Sequence, residues 1–197
     1  MKQFIKDISV VAMLILTTLT CSAQGNNEPE FGSINISILQ DVNLGFIGYN
    51  NDYYKPFTKD LVFKIKLEGR KKRNKTARSV AFLEYENADL DYGFERWTAG
   101  YGRSIDVGYI TIFKKDIYFK FVPYAQFGII ERGGKAPFTY MIGAENKIII
   151  NKLLAFTINH QGLHRSDLGL IYGKSKFKYS CHAGIEINLP IFQPTKY

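Results

Sequence analysis

Two cysteines among 197 residues are too few to staple a small secreted domain, so there is no disulfide framework to read. The three histidines form no Cys/His cluster and no glycine-rich phosphate cradle occurs, so the sequence implies no metal and no cofactor. Beyond residue 23 no window supplies the eighteen or so uncharged apolar residues that a membrane helix needs, although 46% of residues are hydrophobic and 15% aromatic. A helical membrane protein is thereby excluded. Apolar residues at helical spacing are almost missing too, as are internal repeats, low-complexity tracts and linkers, and one domain is the simplest division.

The N-terminus has the three-part form of a secretory signal: Lys2 and Lys6, an apolar run over residues 8–19, then Cys21-Ser22-Ala23. Cleavage after Ala23 is expected, leaving residues 24–197 as the exported domain. Loss of Lys2, Lys6 and Asp7 lowers the chain's formal charge of +8 by one. Export excludes a cytosolic enzyme. A lipoprotein signal would acylate Cys21, but it favours a large aliphatic residue three places earlier and a small one just before, where this chain has Thr18 and Thr20. With Cys21 removed, Cys181 stands alone.

Two-residue alternation takes the place of helical spacing, and it predicts a nearly all-β chain. The last segment is the clearest: Phe177, Tyr179, Cys181, Ala183, Ile185, Ile187 and Leu189 share one face, and Lys178, Ser180, His182, Gly184, Glu186 and Asn188 the other. The pattern recurs from Ile34 to Ile38, over 61–68, 83–86, 96–102, 119–129, 138–147 and 154–161, with Pro123 discordant because proline cannot donate to a ladder. That makes about eight strands of the kind found in membrane barrels. Turns are expected at 45–58, 69–76, 87–91, 114–116, 132–137, 151–152 and 163–174. Residues 104–113 fit either an extension of the fourth strand or an extra strand pair.

Alternation does not say which face meets what, but composition does. The polar face carries Lys64, Lys66, Arg96, Lys120, Lys147 and Lys178 against Glu68, Glu84, Glu86, Glu145 and Glu186, together with glycines. Near balance of charge in mid-strand suits a narrow interior in which ions must pair, since burying one alone is very costly. The apolar face, rich in Phe, Tyr, Ile and Leu, suits lipid, with aromatic residues for the interfacial belts. Backbone groups in lipid must all be paired, which forces closure. The expected fold is therefore a closed antiparallel up-and-down transmembrane β-barrel of about eight strands, whose lumen side chains just fill, excluding a porin. A network drawn from Lys64, Glu84, Glu86, Arg96, Lys120, Glu145, Lys178, His182 and Glu186 is expected inside, in a pairing that the sequence does not assign.

On these residues the chain resembles the small outer-membrane β-barrel proteins of Gram-negative bacteria. The signal, the alternating segments, the strand Gly184-Ile185-Glu186-Ile187-Asn188-Leu189 and the late aromatics Phe192 and Tyr197 carry the resemblance. Gln40-Asp41, Pro56-Phe57-Thr58, Glu84-Tyr85-Glu86 and Arg165-Ser166-Asp167-Leu168 are similar to blocks in barrel proteins known mainly as hypothetical proteins. The resemblance covers the whole mature chain. It implies an outer-membrane location, contact with outer-membrane lipid, and recognition of the last strand by the barrel-assembly machinery. It implies no reaction. Pro190 and the tail 193–197 extend beyond the alternating run.

His164-Arg165-Ser166 is the most enzyme-like feature, because two residues apart on a strand share a face and could supply base and nucleophile. Outer-membrane lipid A deacylases carry a similar His-x-Ser pair followed by an acid. Here Lys174, Lys176 and Lys178 follow, and Asp167 has the wrong parity on a regular strand. His160 and His164 would stand about 13 Å apart on a strand, too far to share a metal. His182 and Glu186 read as members of the interior hydrogen-bond network. The run Arg70-Lys71-Lys72-Arg73-Asn74-Lys75 would suggest nucleic acid in a cytosolic protein, but export leaves it a charged turn. Tyr49, Tyr53 and Tyr54, with Phe46 and Phe57, make the first outer loop the candidate binding surface. The reading is thus a monomeric barrel with a structural or surface-binding role and no catalysis. A lipid A deacylase-like hydrolase using His164 and Ser166, and a secreted lipocalin-like ligand-binding barrel, are the alternatives.

Overall fold

The computed structural model describes residues 31–42, 59–69, 77–90, 93–112, 115–173 and 176–191. The signal segment 1–23, the loop holding Tyr49, Tyr53 and Tyr54, the basic run 70–75, and Phe192 and Tyr197 lie outside them. Eight strands run in chain order: β1 (Phe31–Asp41), β2 (Asp60–Gly69), β3 (Ala77–Ala88), β4 (Phe94–Ile112), β5 (Lys115–Glu131), β6 (Phe138–Ile149), β7 (Leu154–Arg165) and β8 (Lys176–Pro190). A short helix, α1 (Ser166–Tyr172), joins the last two. Each strand pairs with its sequence neighbour, and β8 returns to β1 to close the barrel. The closing seam is antiparallel, from Ser33↔Pro190 through Ile38↔Ile185 to Asp41↔His182. This closed antiparallel up-and-down barrel is the expected fold.

The alternation sets which side faces in. Val62, Lys64, Lys66 and Glu68 of β2 are buried, while Phe63 and Ile65 between them are exposed. On β8, His182 and Glu186 are buried, and Ile185 and Ile187 are exposed. Charged side chains thus line the interior and large apolar ones cover the outside, among them Ile36, Ile38, Phe127, Tyr140 and Ile142. That polarity is the reverse of a water-soluble barrel, whose apolar face would turn inward. Two apolar clusters share the interior with the charges: Val80, Phe82, Val122, Tyr124, Met141 and Leu163, and Ala88, Phe94 and Ile130. Outside, Tyr85 packs on Trp97 at 4.3 Å between centroids, and Tyr140 stacks on His164 at 4.8 Å.

Residues 104–112 resolve as an extension of β4. Beyond a register shift between Asp106 and Gly108, β4 and β5 continue as a pair from Gly108↔Phe119 to Ile112↔Lys115. They pass the ends of their other partners, Ala77 on β3 and Ile149 on β6. Pro123 stays within β5, on the side where paired positions with β4 skip from Gly102↔Tyr124 to Ile105↔Phe121. A missing donor explains the lapse. The last turn differs from the sequence expectation at 163–174: β7 continues to Arg165, and the connection is helical. Gly173 ends the helix in the left-handed region, at φ 74°.

Candidate functional site

Strand parity delivers ionic side chains to the lumen from β2, β3, β4, β6 and β8, and they join into one chain of alternating sign. Arg96 on β4 bridges Glu84 and Glu86 of β3. Glu84 also meets Lys64 of β2 at 2.8 Å, and Lys64 reaches Glu145 of β6 at 3.1 Å. Glu145 in turn takes Lys66 at 2.8 Å. Lys66 joins Glu186 of β8, which accepts from Lys147 of β6 at 2.9 Å and from the Ser37 hydroxyl at 2.9 Å. From Glu86 to Lys147 these side chains are almost wholly screened from solvent. Burying charge on this scale is sustained only because each ion touches one or more of opposite sign.

A second group sits where the long β4–β5 pair leaves the barrel. Glu68 accepts from Arg78 at 2.9 Å, and from Lys120, Ser104 and Asn35 at 3.1 Å each. Arg78 also holds both carboxylate oxygens of Asp106 at 3.0 Å. Tyr124 links the ions to the neutral polar residues: its ring lies 4.5 Å from Lys64 Nζ, and its hydroxyl donates to Asn159 at 2.7 Å. Gly143 makes room for that tyrosine, since a Cβ there would come within 2.5 Å of the Tyr124 hydroxyl and 2.6 Å of the His160 carbonyl oxygen. Gly143→Ala is therefore expected to destabilise the barrel by about 1–3 kcal/mol through overpacking, read as a lower midpoint in urea unfolding.

At the opposite end, α1 follows β7 and carries the buried Asp167. Asp167 receives Arg132 at 3.0 Å and Arg165 at 2.7 Å, and Arg165 stacks over Phe94 at 4.6 Å. Burial raises the Asp167 pKa, yet hydrogen bonds and charge from Arg165 and Arg132 outweigh it and hold the carboxyl below its usual value. Deeper in, Asp41, Asp60 and His182 gather at one level of β1, β2 and β8, all three buried.

Of the sequence-expected residues, Lys64, Glu84, Glu86, Arg96, Glu145 and Glu186 fall within the ionic chain. Lys120 serves the separate Glu68 group. Lys178 departs from the expectation: it has the inward parity but is exposed. Pairing of β8 with β1 stops at Asp41↔His182, so position 178 lies where β8 has run past that neighbour. His182 lies inside, facing two aspartates rather than the lysine–glutamate chain. His164 stacks on the outer face against Tyr140. The buried His164 Nδ1 and Ser166 Oγ have no hydrogen-bond partner, so no bond joins them, and the nearby acid Asp167 is engaged by two arginines. His160 bonds the Tyr179 hydroxyl at 2.6 Å, away from any second histidine ligand. Asp41 and Asp60 were legible only as one further step of the inward parity of their strands, and Tyr124, Asn159 and Arg132 gave no signal beyond parity.

Fold and interior together define a transmembrane-type β-barrel: eight strands, closed, antiparallel, with a charged core inside an apolar surface. No protein-family model and no curated protein matches the chain. Among solved structures, the outer membrane protein Ail of Yersinia pestis, in a phospholipid bilayer nanodisc, is similar at TM-score 0.46 and 11% identity, over 80% of this chain and 99% of that one.

Proposed function

We propose that this protein is an integral outer-membrane barrel, exported by its 1–23 signal, with a structural or surface-binding role exercised through its outer loops and no catalytic one. The observation that carries the reading is the inverted polarity: Lys64, Lys66 and Arg96 are fully enclosed, while Ile185, Phe127 and Ile142 are 51%, 60% and 62% exposed. Water penalises such an exterior and lipid does not. A lumen crossed by ion pairs offers no passage for solute, which leaves the loops as the part able to meet a partner. The aromatic loop of Tyr49, Tyr53 and Tyr54 suits stacking on sugars or on a protein surface.

The test is cell fractionation with gel mobility before and after boiling. Recovery with outer-membrane fragments and a heat-dependent mobility shift are expected; recovery as freely soluble periplasmic protein overturns the reading. Ile185→Arg sharpens it. At mid-bilayer this change is expected to cost about 2–4 kcal/mol of barrel stability, whereas in a water-exposed barrel it would cost almost nothing. Incubating the purified barrel with lipid A checks the absence of catalysis. No acyl release is expected, and release that disappears in a His164→Ala, Ser166→Ala variant would make the protein a deacylase.

A further inference from the structure

The cluster of Asp41, Asp60 and His182 is built differently from the rest of the lumen. Asp41 and His182 face each other across the seam where β1 meets β8, and Asp60 opens β2 on the other side of β1. Three strands thus bring two carboxylates and an imidazole to one level, with one ligand atom from each lying within 4.8 Å of the others. His182 is fully buried. Its Nε2 points at Asp60 Oδ1 at 3.8 Å and at Asp41 Oδ2 at 3.9 Å.

Those separations are too long for hydrogen bonds, and neither ring nitrogen of His182 has a partner. Asp60 Oδ1 is likewise buried and unpartnered. Elsewhere in the lumen opposite charges close to contact, as Lys64 and Lys66 do at 2.8 Å. A charged imidazole held by two carboxylates would be expected to do the same, at about 2.7–2.9 Å. Arg96, the strong cation of this region, is already held by Glu84 and Glu86. What remains is a gap between donor atoms, lined by two carboxylates and an imidazole, in which the ring nitrogens of His182 and Asp60 Oδ1 lack hydrogen bonds and are costly to bury.

The spacing is that of ligands around an ion. Oxygen and imidazole nitrogen sit about 2.0–2.2 Å from zinc, which places neighbouring donors of a tetrahedral site about 3.4 Å apart. The two His182–carboxylate separations, 3.8 and 3.9 Å, exceed that spacing by about half an ångström, and side-chain rotation would have to draw in a set of donors that spans up to 4.8 Å. We propose that Asp41, Asp60 and His182 bind one divalent transition-metal ion of the zinc class, clamping β8, β1 and β2 together at the seam that closes the barrel. The imidazole selects against magnesium and calcium, which prefer oxygen alone, and the two carboxylates suit zinc better than a soft monovalent metal. Three protein ligands leave the fourth position to water or a partner group.

The experiment uses the full mature barrel, purified in detergent, stripped with chelator and titrated with Zn²⁺ by calorimetry, with Ca²⁺ in parallel. One equivalent of Zn²⁺ is expected, with a rise in the unfolding midpoint as zinc is added, because an ion that binds only the folded state stabilises it. Asp60→Asn and His182→Gln are each expected to lose that equivalent and the zinc-dependent rise. His160→Ala, on the outer face, is expected to keep both. Co²⁺ gives a readout independent of stability: visible absorption of a low-symmetry site in the parent barrel, absent in Asp60→Asn. If His182→Gln fails to fold, Asp60→Asn, judged folded by its gel mobility unboiled, decides alone. Binding that survives in the folded Asp60→Asn barrel, binding lost with His160, absence of stoichiometric zinc binding, or calcium binding as tight as zinc each overturn the proposal.

Discussion

Arg96→Ala is expected to lower the stability of the barrel by about 3–5 kcal/mol. Arg96 is fully buried on β4 and bridges Glu84 and Glu86 of β3. Truncation leaves Glu86 without the arginine and Glu84 with only Lys64, inside a wall that admits no solvent to replace the guanidinium. The loss is mainly the cost of an uncompensated buried charge. Urea unfolding of the barrel in detergent or bilayer, followed by tryptophan fluorescence or gel mobility, measures it. An unchanged midpoint would show that water reaches these carboxylates and that the network is not desolvated. A triple replacement of Arg96, Glu84 and Glu86 by apolar residues of similar volume should recover much of the loss, because it removes both partners.

Glu145→Ala is expected to cost a similar amount, again about 3–5 kcal/mol, and for a reason that exposes the architecture. Glu145 projects from β6 and meets Lys64 and Lys66 of β2 at 3.1 and 2.8 Å, with Lys147 at 3.7 Å. In a ring of eight strands β2 and β6 occupy opposite walls. The residue is therefore a strut across the lumen, and its removal leaves lysines facing one another in a dry interior. A double-mutant cycle with Lys66→Ala is expected to give a coupling well above 0.5 kcal/mol, whereas Glu145 and the outward Ile185 should be additive. Loss of coupling in the first cycle would mean that the two walls do not touch in solution.

How much of this was legible in the sequence depends on the distance over which each feature is decided. The two faces of β2 and β8 follow from parity, since a strand alternates sides at every residue whatever its neighbours do, and composition assigns which of them points inward. The enclosure of Lys64 and Arg96 followed from charge balance on that face. β7 runs on to Arg165, past the turn expected at 163–174, because no proline stops the strand there, and α1 is held by tertiary contacts of Asp167 with Arg132 and Arg165 rather than by helical periodicity. Lys178 has the right parity, but enclosure requires walls on both sides, and the length of the neighbouring β1 is not written in β8.

The amino-acid sequence by itself determined the strands, their faces, the barrel class and most of the ions that go inside, because these depend on composition and on a two-residue period. Only the tertiary structure decided which ions meet. The pairs Glu145 with Lys64 and Lys66 are 81 and 79 residues apart, and the Asp41, Asp60 and His182 cluster draws on the first, second and last strands. Such contacts are set by the register of all eight ladders and by closure of β8 on β1. Side chains that share an inward parity can reach any wall of the lumen until the ring is shut and the stagger fixed.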